Sequence, residues 1–267
     1  MKRKIIIHGG AGKHRSLIED VNNVLEYAIK GAAKLEKKGA LEMAVRAVEI
    51  MENSGFLNSG SGSVRQNDGK VRMDGSIAVS DGLFSSVIGL PGCWNVSRIC
   101  QELLNSKNPM MCGEELEAKV KNLGFSKLDP DPDAYEEWVC SGQNSPGTVG
   151  AVAFDGEVFC SVTTTGGRAG VNAGRVGDSG MAGCGSAAND FGAVSCTGIG
   201  EAIVRCRLAD YTLNIMREIP PMDACKLAVK ELEKDVLSQG VGGLIAINQE
   251  GDVGWAFNTE EMPICFQ

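Results

Sequence analysis

The amino-acid sequence predicts an α+β fold in which helices and largely antiparallel sheets are stacked in layers. Predicted helices and strands come in runs instead of strict alternation, and such runs favour stacked layers over a doubly wound parallel sheet. Tight turns such as Asn67-Asp68-Gly69 and Ser80-Asp81-Gly82 join short strands, and hairpins of this kind pair strands antiparallel. Because we find no repeat and no convincing boundary, we expect residues 1–267 to form a single domain.

The chain opens with an apolar strand at residues 4–7 and the glycine-rich turn His8-Gly9-Gly10-Ala11-Gly12-Lys13. A strand, a glycine-rich turn and a lysine suggest a phosphate cradle of the kind a small-molecule kinase needs, but the spacing fits neither common phosphate-binding motif. Apolar residues recur at helical spacing in 18–35 and 40–52, which predicts a helix pair. The glycine- and serine-rich stretch 53–63 predicts a loop that is open to lining a site or binding an ion.

From residue 63 the apolar period changes to two, which predicts short strands. We assign these strands to residues 64–66, 70–73, 76–79 and 83–90. Helical periodicity returns at 95–106 and 114–123. The aspartate- and proline-rich segment 129–133 and Gln143-Asn144-Ser145-Pro146 then lead into Gly147. Their composition is typical of an exposed linker that can be cut.

Strands return after Thr148, at residues 149–154, 158–163 and 192–196. The glycine-rich stretch at 166–190 is predicted to be a loop, and it is too long for an idle connection. Two helices and a final pair of strands complete the chain. We assign the helices to 201–217 and 222–237 and the strands to 241–248 and 253–257.

Composition and charge exclude several classes of function. The net charge of −8 and the pI near 5.0 argue against nucleic acid or an acidic membrane surface as partner. No apolar stretch approaches the ~20 residues of a membrane span, and the apolar start is too short for a secretory signal, so we expect a cytoplasmic protein. The ten cysteines include no Cys-x-x-Cys pair and the only histidines are His8 and His14, so we expect buried thiols and no metal centre.

The feature that points to chemistry is Gly147-Thr148-Val149-Gly150, where a glycine and a threonine precede an apolar strand. Further threonine and glycine clusters follow at 163–167 and 196–201, with Gly174-Arg175-Val176-Gly177-Asp178-Ser179 between them. A threonine becomes a good nucleophile when it is a chain terminus, because its α-amine, with a pKa of about 8, then serves as the base. We therefore predict a cut between Gly147 and Thr148, where glycine tolerates strain and leaves the carbonyl open.

These clusters resemble the motifs of the plant-type (type 2) asparaginase and isoaspartyl peptidase family of N-terminal-nucleophile hydrolases. The motifs that carry the resemblance are HGGAG at 8–12, LNSGSGSV at 57–64, MDGSIAVSDG at 73–82, GTVGAVAFD at 147–155, TTTGG at 163–167, GRVGDS at 174–179, CGSAANDFGAVSCTGIGEAIVR at 184–205 and GGLIAIN at 242–248. The resemblance implies a four-layer αββα sandwich of two mainly antiparallel sheets. It also implies an inactive precursor that cleaves itself into residues 1–147 and 148–267.

The resemblance implies catalytic roles for five residues. Thr148 is expected to be the nucleophile, and Thr165 and Thr197 are expected to orient and polarise it. Thr197 and the amide of Gly198 are implied to form the oxyanion hole. Asn58 stands where the family has an amide side chain near the nucleophile.

A second set of residues is implied to bind the substrate. Arg175 and Asp178 are expected to hold its α-carboxylate and α-amine, with Thr197, Gly198 and Gly200 completing the site. No catalytic cofactor is implied, although the loop around residues 54–62 resembles the family's structural sodium loop. The resemblance further implies a small-molecule substrate and a homodimer of cleaved protomers.

The implied reaction is hydrolysis of the side-chain amide of L-asparagine, of the isopeptide bond of β-aspartyl dipeptides, or of both. Ile199 stands where the family commonly has histidine and Gly75 where it more often has alanine, so the preferred leaving group stays open. Three alternatives also stay open. One is an aspartylglucosaminidase, an activity associated with secreted proteins. The others are a threonine aspartase-like protease and a family member that never cleaves itself and serves as a binding or structural protein.

Overall fold

The computed structural model describes residues 3–13, 18–130 and 147–267. The strands are β1 (Lys4–His8), β2 (Arg72–Val79), β3 (Phe84–Pro91), β4 (Met110–Cys112), β5 (Val149–Phe154), β6 (Phe159–Thr165), β7 (Ser186–Asn189), β8 (Gly192–Gly198), β9 (Gly242–Asn248), β10 (Val253–Phe257) and β11 (Ile264–Phe266). One sheet has the strand order β11-β1-β5-β6-β2-β3-β4 and the other β10-β9-β8-β7. All neighbouring pairs of these strands are antiparallel except β3 and β4.

Helices cover the outer faces of the two sheets, which pack on each other through β5, β6 and β8. The helices on the seven-stranded sheet are α1 (Ile18–Ala33), α2 (Ala40–Glu52), α3 (Val96–Leu103) and α4 (Gly113–Asn122). The helices on the four-stranded sheet are α5 (Gly200–Cys206), α6 (Leu208–Ile215) and α7 (Pro221–Leu232). The predicted four-layer αββα sandwich of mainly antiparallel sheets is therefore confirmed.

Buried apolar side chains form three clusters, one between each pair of adjacent layers. In β5, Val149 and Ala151 pack toward the helices, whereas Val152 and Phe154 lie between the sheets. This alternation follows from the strand period of two, and because both faces are covered the whole strand is buried. Phe154 stacks on Phe159 of β6 with ring centroids 4.1 Å apart. Apolar side chains thus fill the layer between the sheets. The predicted nucleophile, Thr148, lies at the edge of this layer, directly before β5.

The prediction of one continuous helix at 201–217 is wrong, because the chain forms two helices there, α5 and α6. Arg207 between them adopts a left-handed conformation with φ of 49°. The first amides of a helix have no partner within the helix. At the start of α6 the amide of Asp210 donates instead to the carbonyl of Gly183, at 3.0 Å. Contact with the preceding loop therefore stabilises a break that the continuous helical periodicity did not indicate.

Two strand predictions also need correction. Residues 64–66 form no strand, and the segments predicted at 70–73 and 76–79 are one strand, β2, with a register shift between Met73 and Gly75. The strands β4, β7 and β11 were not predicted, because three or four residues are too few to establish a period. β7 lies inside the stretch predicted as a loop.

The last helix is shorter than the predicted 222–237. α7 ends at Leu232, and the loop that follows is held by ion pairing of Asp235 with Arg205 at 2.7 Å. The predicted linker between residues 131 and 146 lies outside the described residues, as does His14.

Candidate active site

Three predicted site threonines lie at one edge of the space between the two sheets. Thr148 precedes β5, Thr165 ends β6 and Thr197 is the penultimate residue of β8. Side chains two residues apart in a strand lie on the same face. Each threonine is an even number of residues away from a side chain that lies between the sheets, as Thr165 is from Phe159 in β6. All three threonines therefore lie on the inter-sheet face. Their exposed fractions are only 5%, 4% and 0%, in the same order. Strand alternation therefore brings together threonine motifs that are distant in the chain.

The bond between Gly147 and Thr148 is contacted from two sides. The Thr165 hydroxyl donates to the carbonyl oxygen of Gly147 at 3.1 Å and accepts from the Gly167 amide at 3.0 Å. A Cβ placed on Gly10 would lie 3.0 Å from the Gly147 Cα and 3.1 Å from the Thr148 nitrogen, and Gly10 has a φ of +108°. Only glycine suits this position. A donor is thus directed at the carbonyl where cleavage would develop negative charge.

Asn58 fixes the loops around that bond. Its Nδ2 donates to the carbonyl of Gly167 at 2.7 Å, and its Oδ1 accepts from the amide of Val64 at 3.1 Å. A Cβ placed on Gly147 would lie 2.9 Å from the Asn58 Cβ. The predicted amide side chain therefore packs directly against the residue before the predicted cleavage site.

Thr197 and Gly198 are held next to the glycine-rich turn after β1. The Thr197 hydroxyl accepts from the amide of Ala11 at 3.1 Å. A Cβ placed on Gly198 would lie 2.5 Å from the carbonyl oxygen of Val241, and the amide of Ile199 donates to that same oxygen at 2.8 Å. This short segment is thus fixed on both sides, as preorganised hydrogen-bond donors require.

The glycine-rich turn itself is not a phosphate cradle. The amides of Gly9, Ala11 and Gly12 donate to the carbonyl of Pro263, the hydroxyl of Thr197 and the carbonyl of Glu261. These amides are the groups that a phosphate would need. The kinase alternative therefore loses the feature on which it depended.

A cluster of charged side chains lies around Gly200. Arg175 donates from Nε and Nη2 to the two carboxylate oxygens of Glu201, at 2.9 and 2.8 Å. A Cβ placed on Gly200 would lie 2.8 Å from the Oδ1 of Asp178 and 3.0 Å from the Nη2 of Arg175. The structure thus brings Arg175, Asp178 and Gly200 together, as predicted for a substrate clamp. It adds Glu201, whose pairing with Arg175 was not predicted although it directly follows Gly200.

The carboxyl groups of Asp178 and Glu201 have pKa values shifted in opposite directions. Burial raises the pKa of Asp178 to about 7, with nearby Arg175 acting in the opposite direction, and its Oδ2 has no hydrogen-bond partner among the described residues. The hydrogen bonds from Arg175 lower the pKa of Glu201 to about 2. Glu201 therefore keeps Arg175 charged and oriented, while Asp178 presents an unpaired oxygen that suits an ammonium group.

A chain of buried polar side chains crosses the inter-sheet layer beside β5. His8 Nε2 lies 3.0 Å from the Oγ of Ser195, which lies 2.7 Å from the Oγ1 of Thr163. Burial lowers the pKa of His8 to about 3, so the imidazole is neutral at pH 7. A Cβ placed on Gly150 would overlap both His8 and Ser195. Since His8 and Ser195 are both fully buried, this pair is not an accessible serine and histidine site.

Neither a metal centre nor a membrane helix is found among the described residues. Within 3–13, 18–130 and 147–267, no three His, Cys, Asp or Glu side chains are placed to hold a metal ion. The helices of the same ranges are all too short or too polar to cross a bilayer.

Comparison with known proteins gives the family. A family model described as asparaginase matches residues 1–141 and 115–267. This chain belongs to that asparaginase family. The resemblance inferred from the motifs is thereby confirmed, including the N-terminal-nucleophile hydrolase fold.

Individual members of the family are similar over nearly their whole length. A plant-type L-asparaginase of Pyrococcus abyssi is 31% identical, with 98% of this chain and 95% of the relative covered. An isoaspartyl peptidase of Salmonella typhimurium is 33% identical, with 98% and 94% covered. An isoaspartyl peptidase/L-asparaginase of Danio rerio is 32% identical, with 97% and 90% covered.

Proposed function

We propose that this chain is a threonine-nucleophile amidohydrolase that cleaves itself between Gly147 and Thr148. The observation that carries the proposal is the hydrogen bond of 3.1 Å from the Thr165 hydroxyl to the carbonyl of Gly147. Breaking that bond frees the α-amine that Thr148 needs as its base. The substrates are the side-chain amide of L-asparagine, the isopeptide bond of β-aspartyl dipeptides, or both, in keeping with the names of the relatives.

Self-cleavage begins when the Oγ1 of Thr148 attacks the carbonyl carbon of Gly147. A C–O bond forms and the peptide C–N bond breaks, and the nitrogen takes up the proton that the hydroxyl loses, which leaves an ester and a free α-amine. The Thr165 hydroxyl donates to the oxygen that becomes negative in this step. Water then hydrolyses the ester, so that residues 148–267 begin with the threonine.

In turnover, the α-amine of Thr148 accepts the hydroxyl proton as Oγ1 attacks the side-chain carbonyl of the substrate. The Thr197 hydroxyl and the Gly198 amide stabilise the oxyanion. The leaving nitrogen takes the proton and departs as ammonia or as an amino acid, and water hydrolyses the remaining aspartyl ester. Arg175 pairs with the α-carboxylate and Asp178 accepts from the α-ammonium, which orients the side-chain carbonyl toward the nucleophile.

A gel and an intact-mass measurement on purified protein test this proposal. Over hours to days we expect conversion into fragments 1–147 and 148–267 that stay together, with amidohydrolase activity rising in step. Thr148→Ala should remain one chain and hydrolyse nothing, whereas Thr148→Ser keeps a hydroxyl and should still cut. Cutting of Thr148→Ala at the same bond without added protease would show that the nucleophile lies elsewhere.

We further propose a homodimer of cleaved protomers, each a single hydrolase domain, because soluble oligomers are commonly two-fold symmetric. Light scattering on the cleaved protein tests it, and a monomer contradicts it.

We also propose that the loop at 54–62 holds a sodium ion. Carbonyl oxygens of Gly55 and Leu57 lie 2.5 and 2.2 Å from the Cβ position of Gly62, and converging carbonyls suit a hard cation. The ion would stabilise the loop that carries Asn58.

A further inference from the structure

A cleft opens beside the segment that carries Gly198 and Gly200. Its lining includes Arg168, Ile199, Glu201, Leu237, Gln239 and Val241. Its volume is about 580 Å³, which is ample for an amino-acid residue. Ile199 directly follows Thr197 and Gly198, which are predicted to form the oxyanion hole, so the cleft adjoins the predicted site along the chain.

Arg168 lines the cleft, and its guanidinium is only partly paired within the described residues. Its Nε is buried without a partner, and its Nη1 lies 3.8 Å from the Oε2 of Glu201, beyond hydrogen-bond distance. Both oxygens of Glu201 already accept from Arg175. The Arg168 side chain is only 21% exposed, so water compensates these donors poorly. An anion in the cleft would supply the missing acceptor.

Beside Arg168, the lining combines the aliphatic side chains of Ile199, Leu237 and Val241 with the polar residues Glu201, Ser238 and Gln239. Ile199 and Leu237 contribute aliphatic surface, and Leu237 is 79% exposed. The loop that carries Leu237 is fixed by the hydrogen bond from the Ser238 amide to Asp235 at 3.0 Å and by the Asn258 side chain, which donates to the carbonyl of Gly240 at 2.8 Å. A cation beside a fixed aliphatic wall suits a ligand that combines a carboxylate with an apolar side chain.

We propose that this cleft binds the leaving amino acid of a β-aspartyl dipeptide, with Arg168 pairing with its C-terminal carboxylate and Ile199 and Leu237 contacting its side chain. The inference rests on the proposed function, in which Arg175 and Asp178 hold the aspartyl end. A β-aspartyl dipeptide has two carboxylates, and the arginines on either side of Glu201 supply one guanidinium for each. Asparagine releases ammonia and leaves Arg168 without a partner. The cleft therefore favours dipeptides with an apolar second residue over asparagine.

The test compares Arg168→Met with wild type on L-asparagine, β-aspartyl-leucine and β-aspartyl-leucine amide, which lacks the C-terminal carboxylate. Loss of a charged hydrogen bond should lower kcat/KM for β-aspartyl-leucine by about tenfold or more. For asparagine we expect a change of less than about threefold. Wild type should prefer the acid to the amide by a similar factor, and Arg168→Met should lose that preference. Arg168→Lys, which keeps the charge, should restore part of it.

A matched control is Arg217→Met. Arg217 is exposed and stacks on Phe191, near the opposite end of β8 from Gly198, so it should leave all three rates unchanged. Equal losses on asparagine and on the dipeptide would overturn the cleft assignment, because Arg168 would then act on the shared aspartyl end. Equal wild-type rates on acid and amide would overturn it too, and this readout needs no variant. If cleaved wild type hydrolyses neither asparagine nor the dipeptide, the proposed function itself fails.

Discussion

The surroundings of the Gly147–Thr148 bond and those of Gly200 use different kinds of polar group. Around the bond, the contacts come from the Thr165 hydroxyl, the Asn58 side chain, whose amide bonds to the Gly167 carbonyl, and the backbone of Gly10, none of which carries a charge. Around Gly200 they come from a guanidinium and carboxylates, with the Arg175 and Glu201 pair at 2.8 Å. One region presents uncharged donors and close backbone contacts, whereas the other presents fixed charges.

This difference matches the two reactions that we propose. Self-cleavage acts on a peptide bond of the chain itself, which has no free α-carboxylate or α-amine to recognise. Turnover acts on a free amino acid or dipeptide, whose charged end needs charged partners in a site that excludes water. The two reactions should therefore depend on different residues and be separable by mutation and by pH.

The largest effect is expected from Thr165→Val, which removes the donor to the Gly147 carbonyl but keeps the shape of the side chain. Loss of one oxyanion donor slows related reactions by about 10²–10³-fold, so self-cleavage should slow by that amount. The measurement is the rate of fragment formation on a gel. Thr163→Val is a useful comparison, since Thr163 bonds to Ser195 and not to the cleavage site. Equal cleavage rates in wild type and Thr165→Val would remove the central support for the proposal.

The next effect is expected in the charged region, from Arg175→Lys. Lysine cannot reproduce the two-point contact with the Glu201 carboxylate that orients Arg175, nor the planar fork of donors that Arg175 offers to a substrate carboxylate. We expect maturation at a normal rate, but a loss of roughly 2–4 kcal/mol in kcat/KM on asparagine and β-aspartyl dipeptides. Substrates with a blocked α-amine or α-carboxylate should lose as much with the wild-type enzyme. Wild-type turnover by matured Arg175→Lys would place the clamp elsewhere.

The sequence predicted more of the uncharged region than of the charged one. The family resemblance singled out Thr165 and Thr197, and strand alternation then determines the face on which they lie. The partner of Arg175 could not be predicted in this way. Asp178 lies closer in sequence, and only the tertiary fold decides that Glu201 receives the two hydrogen bonds. The break at Arg207 was missed for the same reason, because a hydrogen bond to a distant loop stabilises it.

A smaller effect is expected from pH, through Asp178. Its carboxylate must be ionised to accept from an ammonium group, and burial raises its pKa to about 7. Below pH 7 the protonated fraction grows, so the inhibition constant of the product L-aspartate should rise, approaching about tenfold per pH unit. Asp178→Asn should still mature, bind aspartate weakly and show no such dependence between pH 5 and 7. A pH-independent inhibition constant in wild type would mean that another group receives the α-ammonium.

The smallest effect is expected on the pH dependence of the free energy of unfolding, which reports whether the inter-sheet layer stays uncharged. Burial lowers the pKa of His8 to about 3, whereas an unfolded histidine has a pKa of 6.5. Between these values the unfolded state binds more protons than the folded state, so His8 lowers stability as the pH falls from 6.5. Asp178 and Glu52 act oppositely, because burial raises the pKa of each to about 7. Their protonation in the folded state adds stability as the pH falls toward 4, and the contributions partly cancel.

His8→Asn removes the contribution of His8 to the pH dependence of stability and leaves those of Asp178 and Glu52. The measurement is the free energy of unfolding in urea between pH 4 and 6.5, made in the Thr148→Ala background so that the protein stays a single chain. The variant should gain stability toward pH 4 more steeply than its parent, by up to about 1.4 kcal/mol per pH unit. Glu52→Gln should change the slope in the opposite direction. If His8→Asn keeps the parental slope, His8 titrates alike in the folded and unfolded states. The layer beside Thr148 would then admit a charge, and the contrast with the Gly200 cluster would be lost.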